Sequence, residues 1–225
     1  MERSGTSGSG AGALRKRVVV LLSGRGSNMA ALVEATKDPA YPGEIVAVFS
    51  DIAEAGGLSA ARAEGIEARA VPRKSYPSKA AHEADLIAAI EAARPDVIAL
   101  AGYMRLLSSD FVERFAGRMI NIHPSLLPLF PGLETHRRAI EAGVRLHGCT
   151  VHFVTFEMDG GPIIAQSAVS VETGDTPETL AARVLKAEHR LYAHALAMVL
   201  RGEVDMREGR ARFAASDPMR DAAGL

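Results

Sequence analysis

The chain has 225 residues, which predicts one large domain with a substantial core and leaves too little length for two. Its 26 Lys and Arg residues against 27 Asp and Glu give a net charge of −1, so no basic field attracts nucleic acid. A single cysteine, Cys149, excludes an internal disulfide, and no Cys-x-x-Cys spacing indicates zinc.

The chain begins with residues 1–14, a Gly- and Ser-rich stretch without apolar periodicity that predicts a disordered tail. Basic residues and the apolar Val18–Leu22 then imitate a signal peptide, but the run is shorter than the ~7 to 15 residues of a secretory core. No run reaches the ~18 to 20 apolar residues of a membrane span. Together with the single cysteine, these features predict a cytoplasmic protein with no membrane partner.

Short apolar strands alternate with helices through the first half of the chain. The strands are predicted at residues 17–22, 45–49, 68–71 and 97–101, and the helices at residues 28–36, 57–64 and 78–93. Pro95 follows the third helix and prevents its continuation. This alternation is typical of an α/β fold, and we expect a Rossmann-like, open, mostly parallel twisted sheet with helices on both faces.

The second half of the chain changes its pattern. Residues 150–156 alternate, and residues 163–171 follow after an Asp-Gly-Gly-Pro turn, which predicts an antiparallel extension of the sheet. Thr176 is a candidate N-cap, with Pro177 in the first turn, for a helix that runs to about Leu200.

The domain boundaries follow from where these patterns begin and end. We expect a single domain over residues 15–214. Residues 215–225 lose the pattern and are predicted to form a loose tail.

A glycine-rich turn, Ser23–Asn28, follows the first strand and precedes the first helix. In an open parallel sheet, backbone amides and the helix N-terminus at this position bind anions such as phosphate. Met29 replaces the third glycine of a dinucleotide fingerprint, and the chain has no P-loop sequence. Asp51, after the second strand, imitates the ribose-binding acid of a nicotinamide enzyme, so an oxidoreductase and a plain turn both remain alternatives.

Asn121, His123 and Asp159 offer an amide, an imidazole and a carboxylate from two segments, 121–128 and 159–162. An amide N–H can hold a developing oxyanion, an imidazole can move a proton, and a carboxylate keeps that imidazole charged and oriented. The prolines of the first segment predict a rigid loop, entered from an apolar run. The three groups predict acyl transfer, although each one alone also fits a structural role.

Together, these segments resemble the phosphoribosylglycinamide formyltransferases, folate-dependent enzymes of purine synthesis. The likeness runs from about Arg17 to Phe213 and rests on the sequences Ser23–Asn28, Ala101–Leu107, Asn121–Gly132, His147–Val154 and Asp159–Pro162. It implies transfer of the formyl group of 10-formyltetrahydrofolate, a co-substrate, to glycinamide ribonucleotide by a monomer or homodimer that needs no metal. Methionyl-tRNA formyltransferase and formyltetrahydrofolate deformylase share the Asn/His/Asp core but carry an extra domain, for which we expect no room.

The resemblance also implies phosphate and substrate binding in the N-terminal half of the domain and folate binding and catalysis in its C-terminal half. It further implies roles for individual residues. The catalytic residues would be Asn121, His123 and Asp159. The ribonucleotide and its phosphate would be bound by Gly26, Ser27, Asn28 and Glu188. Folate would be bound by Lys79, Met104, Arg105, Leu106, Leu107, Val112 and Asn121. Two positions depart from the family, since Lys79 stands where some members have an arginine and Leu129 where others have a lysine.

Several alternatives stay open beside this reading. The apolar folate residues could be plain core, and Glu188 could lie on a solvated helix face. His147 and Cys149 share one face of a strand and His152 points to the other, so no metal site is predicted, and an apolar strand makes Cys149 a poor nucleophile. The rival functions are a deformylase that releases formate, a non-catalytic sugar-phosphate sensor and the nicotinamide oxidoreductase.

Overall fold

The computed structural model describes residues 15–214, so the predicted tails at 1–14 and 215–225 lie outside the described residues. The helices are α1 Ser27–Thr36, α2 Gly56–Ala63, α3 Lys79–Ala92, α4 Ser109–Arg114, α5 Thr135–Glu141 and α6 Pro177–Arg201, with a short 3-10 helix at Arg73–Ser75. The strands are β1 Lys16–Leu22, β2 Gly43–Ser50, β3 Glu67–Ala70, β4 Val97–Leu100, β5 Met119–His123, β6 Leu146–Phe153, β7 Ile163–Ser170, β8 Val204–Arg207 and β9 Arg210–Phe213.

The main sheet has seven strands in the order β3-β2-β1-β4-β5-β6-β7, and β8 and β9 form a separate hairpin. Strands β1 to β5 pair in parallel, whereas β5 with β6 and β6 with β7 pair antiparallel. The predicted Rossmann-like sheet and its antiparallel extension are therefore confirmed. The strand order reverses between β1 and β4, which in open α/β sheets opens a crevice at the carboxyl ends of these strands.

Both faces of the sheet are covered, as strand β1 demonstrates. Val18, Val20 and Leu22 belong to the apolar cluster that includes α1, α2 and α6. Val19 and Leu21 belong to the cluster on the opposite face, under α3 and α4. Successive side chains of a strand point to opposite faces, so a continuous apolar run is what a strand buried on both sides requires.

Helix α6 is the longest helix and is fixed at its start and along its length. Thr176 and Thr179 form a reciprocal capping box, with Pro177 in the first turn, as the sequence predicted. Tyr192 is fully buried, and its hydroxyl donates to the carbonyls of Leu100 at 3.0 Å and Ile120 at 3.3 Å. The helix is thereby bonded directly to strands β4 and β5.

The structure corrects the sequence predictions at four places. The segment from Asn121 to His123 was predicted as a loop, but it ends strand β5, because the extended backbone required before a proline is also that of a strand. Strand β6 begins at Leu146, earlier than predicted. The short helices α4 and α5 and the β8–β9 hairpin were not predicted.

Within residues 15–214, no helix has the length and apolar character needed to cross a membrane.

Candidate active site

The pairing of strands β5 and β6 builds the centre of the site. Asn121 and His123 lie two residues apart on β5, so their side chains share one face of the sheet. In the antiparallel register, His152 lies opposite Asn121 and Thr150 lies opposite His123. The sheet itself therefore brings a second histidine to the candidate catalytic residues.

His152 orients the amide of Asn121. Its Nδ1 lies 2.9 Å from the carbonyl of Phe153, which can only accept, so Nδ1 carries the proton. The unprotonated Nε2 then accepts a hydrogen bond of 3.2 Å from Nδ2 of Asn121, whose second N–H is left for a substrate oxygen. Burial lowers the pKa of His152, which keeps the ring neutral and able to accept. Sequence reasoning missed this role, and only the strand register could have revealed it.

His123 and Asp159 face each other in a water-poor setting. Nε2 of His123 donates to the carbonyl of Phe130 at 3.0 Å, and Nδ1 lies 3.4 Å from Oδ2 of Asp159. The same carboxylate oxygen accepts from the Gly132 amide at 2.8 Å, and Oδ1 lies 3.9 Å from Nε2 of His152. The side chains of His123 and Asp159 are only 7% and 11% exposed, so the pair is shielded from solvent. The structure therefore brings the three predicted catalytic residues together.

The turn that carries Asp159 depends on a glycine. Asp159 itself has a φ of 55°, in the left-handed region. Two residues later, a Cβ on Gly161 would lie 1.8 Å from the carbonyl oxygen of Phe153, at the end of β6. The turn can therefore reach its position only if the backbone packs on the strand without a side chain between them.

Gly161→Ala is expected to destabilise the protein by about 3 kcal/mol, at the upper end of overpacking effects, and to displace Asp159. Urea unfolding and kcat measure the two consequences. Gly160→Ala is the matched control, because the added Cβ would meet only the flexible side chain of Glu157. Equal stabilities for the two variants would contradict this reading of the turn.

The glycine loop after β1 leaves a helix N-terminus open. Gly26 is the N-cap of α1 with a φ of 78°, and α1 has no side-chain cap on its first amides. A Cβ on Gly26 would lie 2.7 Å from Cα of Gly57, so this glycine also allows two backbones to touch. Uncapped amides at the positive end of a helix are an anion site.

Asn28 and Glu188 meet beside this loop. Nδ2 of Asn28 donates to Oε2 of Glu188 at 2.8 Å, although 160 residues separate them in the chain. Glu188 is buried, so the alternative that it lies on a solvated helix face is wrong. Burial raises the pKa of Glu188, while the hydrogen bond from Asn28 and the charge of His123 oppose this shift.

Asp51 is not free to bind a ribose. Its buried carboxylate accepts from Oγ of Ser23 and, at 2.6 Å, from Nε of Arg105. Both carboxylate oxygens are thus occupied by groups of the protein. This occupancy removes the feature that suggested a nicotinamide enzyme.

The residues expected to bind folate occupy three settings. Met104 and Leu106 are exposed apolar side chains, 63% and 70% accessible, after β4. Val112, in α4, is buried in the core. Its side chain therefore fits the alternative that this residue is plain core. Lys79 lies at the start of α3, with Nζ 3.6 Å from Glu83.

The remaining polar residues of β6 do not form a metal site. The ring of His147 packs against those of His136 and Phe130, and burial lowers its pKa to about 4. Cys149 is buried in the core, where burial raises its pKa to about 12, so its thiol is inert at neutral pH. Among residues 15–214, no cluster of three or more His, Cys, Asp or Glu side chains could hold a metal ion.

Comparison with known proteins agrees with this geometry. The chain is 46% identical over 194 residues to phosphoribosylglycinamide formyltransferase of Escherichia coli (strain K12), covering 86% of this chain and 92% of that protein. It is 60% identical, with a TM-score of 0.81, to the crystal structure of phosphoribosylglycinamide formyltransferase from Brucella melitensis, covering 83% of this chain and 96% of the other.

A formyltetrahydrofolate deformylase is more distant. The structure of the enzyme from Pseudomonas syringae pv. tomato is 30% identical with a TM-score of 0.83, covering 90% of this chain and 67% of the deformylase. The formyl transferase family matches residues 16–196, a span that contains every residue of the site described above. The chain therefore belongs to the formyl transferase family.

Proposed function

We propose that the chain transfers the formyl group of 10-formyltetrahydrofolate to the amine of glycinamide ribonucleotide, which yields formylglycinamide ribonucleotide and tetrahydrofolate in purine biosynthesis. The observation that carries this proposal is the joint placement of two sites at one edge of the sheet. The cluster of Asn121, His123 and Asp159 supplies acyl-transfer chemistry at the carboxyl end of β5. Glu188 pairs with Asn28 beside the open helix N-terminus at the carboxyl end of β1, in the same parallel set of strands.

The chemistry follows from the positions of the polar atoms. The substrate amine attacks the formyl carbon, and the carbonyl oxygen becomes negatively charged in a tetrahedral intermediate. The free N–H of Asn121 and the Nε2–H of His123 stabilise this oxygen. To reach Nε2 of His123, the oxygen displaces the Phe130 carbonyl that now accepts from it. Asp159, 3.4 Å from the imidazole, accepts the proton that the amine loses. The bond between the formyl carbon and the folate nitrogen then breaks, and Asp159 returns this proton to the departing nitrogen.

Substrate binding uses both halves of the chain. The amides of Gly26, Ser27 and Asn28 would receive the phosphate of the ribonucleotide, with Glu188 beside its sugar. Folate would lie along Met104–Leu107, between Asn121 and the amine of Lys79. The buried pair of Asn28 and Glu188 supports a single domain over 15–214 whose two halves build the nucleotide pocket jointly.

The decisive experiment is a formyl-transfer assay with purified protein. We expect tetrahydrofolate to form from 10-formyltetrahydrofolate only when glycinamide ribonucleotide is present, with formylglycinamide ribonucleotide as the second product. Release of formate without the acceptor would instead support a deformylase. Binding of the ribonucleotide without any turnover would support the non-catalytic sensor, and either outcome would overturn the proposal.

We further infer a cytoplasmic enzyme that acts on small molecules as a monomer or a homodimer. The net charge of −1 gives no attraction for nucleic acid. The lone thiol of Cys149 is buried, which fits a reducing compartment.

The buried His152 predicts a pH dependence with a defined sign. Its pKa is lowered in the folded protein, so the unfolded chain binds a proton at higher pH than the folded chain. Stability therefore falls as pH drops below about 6.5, by up to about 1.4 kcal/mol for each pKa unit of difference. Urea unfolding between pH 7.5 and pH 5 should show a smaller loss for His152→Gln than for the unmodified protein.

The activity of the enzyme should fall over the same range, because a protonated His152 no longer accepts from Asn121. The variant keeps all the other histidines, so the difference between the two curves reports the removal of His152. An identical pH profile of stability in the variant would contradict this assignment.

A further inference from the structure

The segment Met104–Leu107, which would line the folate site, has little apolar support. It contains neither helix nor strand, and Met104, Arg105 and Leu106 are all exposed. Their apolar atoms therefore contribute little burial to hold the segment in place. Only Leu107, at the end of the segment, packs partly against the core, so polar contacts hold the rest of it.

Ser23, directly after strand β1, supplies the first of these contacts. Its amide donates to the Gly102 carbonyl at 3.0 Å, and its Oγ accepts from the Met104 amide at 2.8 Å. The same hydroxyl uses its proton to donate to Oδ1 of Asp51. The carboxylate thereby fixes the rotamer in which Ser23 can accept from the segment.

Asp51, directly after strand β2, holds the segment a second time. Its Oδ2 accepts from Nε of Arg105 at 2.6 Å. The side chain of Asp51 is only 1% exposed, whereas that of Arg105 is 44% exposed. A buried carboxylate that loses a partner is left with uncompensated charge, so this contact is costly to break.

A second buried carboxylate holds the far end of the same stretch. Oε1 of Glu83 accepts from the Ser108 amide at 3.0 Å, and the side chain of Glu83 is 8% exposed. Burial raises the pKa of Tyr103, and the charges of Asp51 and Glu83 add to this shift. The exposed segment is thus anchored at both ends by charges buried beneath it.

We propose that Asp51 is a positioning residue for folate binding, whose carboxylate fixes Met104–Leu107 through Ser23 and Arg105. This inference rests on the proposed function, because it assigns folate to that segment. Asp51 itself does not contact the substrate. It acts only through the two side chains that it binds.

The test compares the Michaelis constants of the two substrates in Asp51→Asn. A carboxamide can accept from only one of the two donors, so the segment loses one anchor. Loss of a hydrogen bond to a charged group corresponds to about tenfold or more in affinity. We expect KM for 10-formyltetrahydrofolate to rise about tenfold, while kcat and KM for glycinamide ribonucleotide change less than about twofold.

Two further variants keep the test decisive. Ser23→Ala removes the hydroxyl that links Asp51 to the Met104 amide, and it should raise the folate KM in the same way. Asp175→Asn is the matched control, because Asp175 is also a buried carboxylate, 5% exposed and 2.7 Å from Nη1 of Arg183, but it lies before α6. The control should lose stability without any change in KM.

A loss of stability with an unchanged folate KM in Asp51→Asn would overturn the proposal, as would an equal rise in both Michaelis constants. If the unmodified protein transfers no formyl group, the proposed function fails by itself. Calorimetric titration with tetrahydrofolate then decides the positioning role, and about tenfold weaker binding by Asp51→Asn would uphold it. Equal binding by both proteins, or no binding by either, would reject it.

Discussion

Asp159→Asn is expected to lower kcat by about 10² to 10⁴, the range that general acid–base catalysis contributes. The substitution removes the negative charge that lies 3.4 Å from Nδ1 of His123. It also leaves an amide where Oδ2 now accepts from the Gly132 backbone. Without the carboxylate, the imidazole loses its charged partner and the attacking amine loses an acceptor for its proton.

Steady-state kinetics with both substrates measure this effect, and Asp205→Asn provides the control. Asp205 is a half-buried carboxylate in strand β8 that pairs with Arg207, away from the site, so its loss should change kcat by less than about twofold. The substrate KM values of Asp159→Asn should stay within a few-fold of normal, because the missing charge acts on the transition state. An unchanged kcat would remove Asp159 from the mechanism.

Asn121→Ala is expected to lower kcat by about 10² to 10³, the usual cost of removing one oxyanion donor. The amide is held by His152 at 3.2 Å, and in the proposed mechanism its second N–H binds the substrate oxygen, so alanine removes this donor. It also leaves the buried Nε2 of His152 without a partner. Rapid-quench measurement of a single turnover separates this loss in the chemical step from any change in product release.

The comparison that tests the orientation of the amide is His152→Gln. This variant keeps Asn121 but changes the group that holds it, so we expect a smaller loss of kcat than in Asn121→Ala. If Asn121→Ala retained full activity in the single turnover, the oxyanion would have to be stabilised by His123 alone.

Local patterns in the sequence predicted the parts of the fold that depend on neighbouring residues. The apolar run Val18–Leu22 predicted a strand buried on both faces, and Thr176 with Pro177 predicted the start of α6. Helix α4, at six residues, and helix α5, at seven, are too short to show a clear apolar period, and tertiary packing rather than propensity stabilises such helices.

The parts of the site that the sequence could not predict depend on residues far apart in the chain. His152 contacts Asn121 only because β5 and β6 pair antiparallel in one particular register. The sequence position of Asp51 fits a ribose ligand, but the ends of β1, β2 and β4 bring Ser23 and Arg105 to its carboxylate. A sequence motif identifies the side chain at a position, whereas the residue that this side chain contacts depends on which strands are neighbours in the sheet.

The hydrogen bonds from Tyr192 to the sheet fix the position of helix α6 relative to strands β4 and β5. Glu188 lies four residues before Tyr192, on the same side of the helix, and Tyr192 is bonded to the strand that carries Asn121. In the proposed function, Glu188 lies beside the sugar of the acceptor, so a rigid helix and not a loop sets the separation between that sugar and the amide of Asn121. We therefore expect the enzyme to select its acceptor by length as well as by charge, because an amine one bond too near or too far would not align with the formyl carbon.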